Sequence, residues 1–66
     1  MKNTIRVARA ERRMTQQELA DTTGVSRQTI NAIESGKFTP STALALKIAR
    51  TFEKSVEEIF FLEEED

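Results

Sequence analysis

Apolar residues recur along this chain at helical spacing, in short stretches separated by residues that start or stop helices. Ile5 and Ala8 lie one turn apart and predict a first helix over 4–13, with Met14 closing the core behind it. Val7 falls off that stripe, while Arg9 shares its inward flank. Leu19 and Ala20 form the inward side of a second helix, 16–23, and Ala20 is small enough for another helix to cross close by. Thr29, Ile30 and Ile33 define a third helix, 27–35. Leu44 or Ala45, Ile48, Ala49 and Phe52 define a fourth, 41–52, with Leu46 off its stripe. Val56, Ile59 and Phe60 open a short fifth helix, 56–61. The predicted class is therefore all-α, five helices in one domain over 1–66, with room for a short strand pair between the termini.

The punctuation agrees with this division. Thr15 and Glu18 form a T-x-x-E capping box, in which hydroxyl and carboxylate each satisfy a free backbone N–H. Ser26 caps the third helix, and Pro40 and Ser41 begin the fourth. Ser55 and Glu58 make a second box. Gly24 and Gly36 stand where helices must stop and turn, since positive φ costs glycine little. Glu53 and Lys54 form the turn between the last two helices.

The third helix carries the chemistry. At about 100° per residue from Arg27, its residues Thr29, Ile30 and Ile33 occupy roughly 200–300° and must face the core. Arg27, Asn31, Ser35 and Gln28 occupy roughly 0–100° on the other side. That sector holds a guanidinium, two carboxamides and a hydroxyl, with no carboxylate. Arginine pairs with guanine edges in the major groove, and glutamine or asparagine with adenine edges. Two short helices joined at Gly24, the second presenting such groups from its first turn, have the build of a helix-turn-helix and its recognition helix.

Residues 4–60 resemble the phage-repressor-like helix-turn-helix family, also called Cro/C1-type or xenobiotic-response-element regulators. The matching text is TQQELADTTGVSRQTINAIESGKFTPS, then ALKIARTF and SVEEIF. The likeness to short regulators of this type implies the lambda-repressor-like five-helix fold. It also implies sequence-specific binding of double-stranded DNA by a transcriptional regulator, here expected to be a repressor. Arg27, Gln28 and Asn31 are the candidate base readers. Gln16 at the start of the second helix, Ser26 and Thr29 beside the readers, and Lys37 and Thr39 in the following loop are the candidate phosphate or flanking contacts. Ala32 stands where some relatives carry a longer polar reader. In the family an arginine and a glutamate at the positions of Arg9 and Glu34 form a partly buried ion pair, so the resemblance implies the same here; two separate surface charges are the alternative. Relatives often have glycine at the position of Arg13, so the turn after the first helix is expected to be tighter or still helical. At Glu53 and Lys54 relatives usually have Gly or Asn and then an apolar residue, which leaves that turn's geometry open.

Charge distribution refines the picture. The formal net charge is −1, an unpromising value for a DNA binder. Residues 1–50, however, carry nine bases against four acids, and residues 51–66 one base against seven acids. A basic body can face phosphate while the acidic tail, 63–66, points away as a solvated end. The chain has no cysteine and no histidine, which excludes disulfides and the usual zinc sites and leaves acid–base chemistry to carboxylates in the tail or at helix starts. No enzyme activity, metal, cofactor, small-molecule ligand or membrane partner is expected, and a cytoplasmic location follows by default. An antitoxin or protein-interaction adaptor on the same fold is the alternative function, although an adaptor would not need the Arg27, Gln28 and Asn31 sector.

The end of the fifth helix adds a partner. Phe60, Phe61 and Leu62 are three consecutive large apolar residues at the edge of a very small domain. Ile59 and Phe60 can reach the domain's own core; Phe61 and Leu62 then fold back or meet a second copy. The expected homodimer surface is Leu46, Val56, Phe60, Phe61 and Leu62, with Met1 to Asn3 able to pair as a strand with Phe61 to Glu63. Two recognition helices about 34 Å apart would read successive major grooves of an inverted repeat.

Overall fold

Four hydroxyl residues hold the chain extended immediately before a helix begins: Thr15, Ser26, Ser41 and Ser55, all with ψ near 160°. In the computed structural model, which describes residues 1–64, they precede α2 (Gln16–Thr23), α3 (Arg27–Glu34), α4 (Thr42–Thr51) and α5 (Val56–Ile59). The hydroxyls of Thr15, Ser26 and Ser41 accept the N–H three residues on, at 3.0–3.2 Å. Ser55 acts through its own N–H, which donates to the Glu58 carboxylate at 2.9 Å. The first helix, α1 (Ile5–Glu11), starts differently: Asn3 Oδ1 accepts the N–H of Ile5.

Ile5, Leu19, Ile30, Ile33, Ile48 and Ile59 are fully buried and meet with Ala8, Ala20, Leu44, Ala49, Phe52 and Phe60 in one core. Met14, Val25, Ala45 and Val56 pack half-buried against it. Both Leu44 and Ala45 thus serve the fourth helix's inward face, while Val7 and Leu46 are exposed as their positions off the stripes require. Thr23 joins the core as well, its hydroxyl donating to the Leu19 carbonyl at 2.8 Å.

Helix ends depart from expectation in two places. The first helix stops at Glu11, and Arg13 adopts φ +51°, so the turn is neither tighter nor still helical. Met14 N–H reaches back to Arg9 O and Arg13 N–H to Ala10 O, the left-handed closure that glycine normally provides. Glu53, at φ +55°, closes α4 in the same way. Burial of Met14 and Phe52 on either side of these turns outweighs the local cost of a side chain at positive φ.

The second departure is at the C-terminus. The fifth helix was expected to run to 61 but ends at Ile59, and Phe60 turns extended (φ −115°, ψ 138°). Phe60–Phe61 is a strand, β2, antiparallel to β1 (Lys2–Asn3) of the same chain, with Lys2 opposite Phe61 and Asn3 opposite Phe60. The register lies one residue closer to the helix than the expected pairing. Strand alternation sends Phe60 inward, 7% exposed, and Phe61 outward. Phe60 therefore belongs to the subunit's own core, which removes it from the expected dimer surface. Of the tail, Glu63 lies 3.6 Å from the N-terminal ammonium; Glu65 and Asp66 lie outside the described residues.

Candidate nucleic-acid interface

The site is built from the α2–α3 pair. Ala20 is fully buried in α2, and Gly24 turns the chain at φ +79° with open space around it. Val25 N–H and Gly24 N–H both return to Ala20 O, which holds the turn against the end of α2. Ile30 and Ile33 then lock α3 into the core by one face. By helix geometry alone, Arg27, Gln28 and Asn31 must project from the other, and all three are exposed.

Around this face the structure collects most of the expected contact residues. Gln16, half-buried at the start of α2, donates through Nε2 to Asn31 Oδ1 at 3.2 Å. That bond ties the two helices together on the outer side and leaves the Asn31 amide N–H groups as donors. Ser26 and Thr29 hydroxyls lie 3.0 Å apart and are committed to each other at the cap; Thr29 is half-buried rather than fully inward. The free N–H groups at the start of α2 are fewer than a bare helix terminus offers, because Thr15 and Glu18 use theirs in the capping box. The Thr15 backbone N–H, and secondarily its hydroxyl, hold the Glu18 carboxyl below its ordinary pKa. Glu58 is lowered in the same way by the Ser55 N–H.

Beyond α3, Gly36 at φ +80° reverses the chain into an exposed loop that carries Lys37 and Thr39. The N–H groups of Lys37 and Phe38 both donate to Ala32 O, so the loop hangs from the last turn of α3. Among the described residues, Arg27 and Lys37 make no ion pair.

The Arg9–Glu34 pair fastens the far end of α3 to α1. Arg9 Nε and Nη2 donate to the two Glu34 oxygens at 2.7 and 3.0 Å, and Arg9 Nη1 donates to Met14 O at 2.8 Å. The Glu34 side chain is 2% exposed and that of Arg9 16%. Two residues at the C-terminal end of α3 carry no sequence signal for this site: Phe38, half-exposed in the loop, and Asn3, whose Nδ2 donates to Ile33 O at 2.8 Å. An asparagine two residues ahead of an apolar helix start is a turn signal that points to Asn3; nothing local points to its second bond.

A profile of the helix-turn-helix family matches residues 5–59. The chain belongs to the Cro/C1-type helix-turn-helix family. HTH-type transcriptional regulator YgzD of Bacillus subtilis is similar at 47% identity over 66 residues, covering both chains fully. An HTH-type transcriptional regulator of Methanocaldococcus jannaschii is 50% identical, again over the whole of each chain. The crystal structure of the clp gene regulator ClgR from Corynebacterium glutamicum superposes with a TM-score of 0.76 at 28% identity, over 82% of this chain and 57% of ClgR. This Cro/C1-type family is one of DNA-binding transcriptional regulators and not a class of enzymes. No described helix is long and apolar enough to cross a membrane.

Proposed function

We propose that this Cro/C1-type chain is a cytoplasmic repressor that binds an inverted-repeat operator as a homodimer. The observation that carries the reading is the outer face of α3: Arg27, Gln28 and Asn31 exposed together, opposite a buried Ile30 and Ile33. Gln28 stands on the first turn, where a recognition helix meets base edges, and takes adenine through both halves of its carboxamide. Arg27 takes guanine. Asn31, oriented by Gln16, supplies a donor one turn further along. Lys37 and Thr39 grip the backbone beyond α3, and Gln16, Ser26 and Thr29 flank it on the other side; these contacts set register while the base contacts set sequence.

The second copy is supported by Phe61 and Leu62, which are 43% and 80% exposed. Leaving two such side chains in water forgoes roughly 1.5–3 kcal/mol each, relative to full burial. A twofold partner meeting the same surface, extended by exposed Leu46 and half-buried Val56, recovers that burial on both subunits. The test is sedimentation at micromolar concentration, alone and on a palindromic duplex from upstream of the gene. The native chain should run as a dimer, with two chains per duplex, and a Phe61→Glu/Leu62→Lys variant as a monomer with weakened operator binding. A native chain that stays monomeric both free and on the duplex would contradict the homodimer.

A further inference from the structure

We propose that Asn3 is a positioning residue for DNA recognition: its carboxamide fixes the C-terminal end of α3, and with it the loop 37–39. This rests on the DNA-binding reading, yet it follows from two hydrogen bonds made by one side chain and from the strand that holds its backbone. Asn3 Oδ1 accepts the N–H of Ile5, an Asx-turn at the head of α1. Asn3 Nδ2 donates to Ile33 O, thirty residues away. The Asn3 backbone is paired with Phe60 in the β1–β2 sheet, and the next residue, Thr4, donates its N–H to Ile59 O at 2.8 Å. The donor and acceptor halves of the amide are thus both used, each on a backbone group of a different helix, from a strand that is itself held.

Ile33 O is a sensitive place to hold. It is among the last carbonyls of α3, which have no partner four residues on, and it also receives the Gly36 N–H at 3.0 Å. The turn made by Gly36 delivers Lys37 and Thr39, and both loop N–H groups hang from Ala32, the neighbouring residue. A clamp on Ile33 O therefore sets where the phosphate-gripping loop leaves the helix. Arg9 and Glu34 anchor the same end by a side chain; Asn3 anchors its main chain.

Asn3→Ser separates positioning from folding. Serine is neutral and makes the equivalent turn onto the Ile5 N–H, but it is too short to reach Ile33. Asn3→Asp is a second, isosteric variant that keeps the Ile5 bond and lacks the donor. Both should retain helicity and a cooperative melt. Amide hydrogen exchange at Gly36, Lys37 and Phe38 should quicken about tenfold, with α2 and α4 unchanged. Affinity for the operator should fall about five- to tenfold, the scale of one neutral hydrogen bond. Unchanged exchange at those three amides overturns the proposal, as does acceleration spread evenly over all helices, or loss of folding in both variants. If the native chain prefers no operator over random DNA, the functional reading fails, while the exchange pattern still decides the role of Asn3.

Discussion

Removing the Glu34 carboxylate strands a guanidinium inside the domain. In Glu34→Ala, Arg9 loses both charge-assisted bonds, at 2.7 and 3.0 Å, and keeps only the one from Nη1 to Met14 O. Arg6 cannot substitute, since it is itself a cation, exposed and 3.8 Å from Glu34. Breaking a buried pair by removing one partner costs about 3–5 kcal/mol. Arg9 retains 16% exposure, so water relieves part of the charge and the lower end, about 3 kcal/mol, is expected. A 66-residue chain at 0.05–0.15 kcal/mol per residue has about 3–10 kcal/mol in all, so the variant should stand close to unfolding. With a urea m-value of about 1 kcal/mol/M, the midpoint should fall by about 3 M. Urea melts followed by far-UV circular dichroism, on both alanine variants and the double, give the coupling between the residues. Arg9→Met combined with Glu34→Leu should recover much of the loss, because burying apolar groups avoids the desolvation of the pair. Losses below about 1 kcal/mol that simply add would be the behaviour of two solvated charges and would refute the reasoning.

Three further outcomes follow from individual side chains. Lys37→Ala should weaken binding to every DNA sequence and reduce the log–log salt slope by about one; an unchanged slope takes Lys37 off the phosphate backbone. Arg13→Gly should stabilise the fold by about 0.5–1 kcal/mol in a urea melt, because a left-handed residue with a Cβ costs about 1–2 kcal/mol and glycine returns part of that as unfolded-state entropy. A destabilised variant would show that the Arg13 side chain contributes contacts worth more than the strain. Glu18 and Glu58 have folded pKa values below the ordinary 4.5, so their contribution is complete above that pH and is lost as pH falls through the lowered values. Thermal melts of Glu18→Gln/Glu58→Gln should therefore show a shallower acid limb, and an acid limb identical to that of the native chain removes the capping carboxylates as its cause.

Capping chemistry made most helix starts legible. Thr15, Ser26, Ser41 and Ser55 each combine a hydroxyl with a following apolar period, and each precedes a helix in the structure. The ends were harder, because Arg13 and Glu53 perform a turn that glycine normally marks, and tertiary burial holds them there. The end of the fifth helix at Ile59 is hidden for a related reason. An apolar run of four has no period of its own, and the strand partner of Phe60, Asn3, lies at the other end of the chain. The division of α3 into a buried and an exposed face is legible because eight residues at 100° leave little freedom once Ile30 and Ile33 are fixed inward. The bond from Gln16 to Asn31 and that from Asn3 to Ile33 are not, since each joins residues far apart along the chain without any spacing rule.

The central claim is that α3 reads bases through its exposed carboxamides and guanidinium. Its most direct measurement is the binding of Gln28→Ala, beside the native chain, to an operator from the gene's upstream DNA and to random duplex at one salt concentration. A bidentate base contact is worth about 1–3 kcal/mol of discrimination, so the variant should lose roughly 5- to 150-fold on the operator and almost nothing on random DNA. Equal weakening on the two duplexes would contradict base reading by Gln28, leaving it as one more contact that only positions the protein.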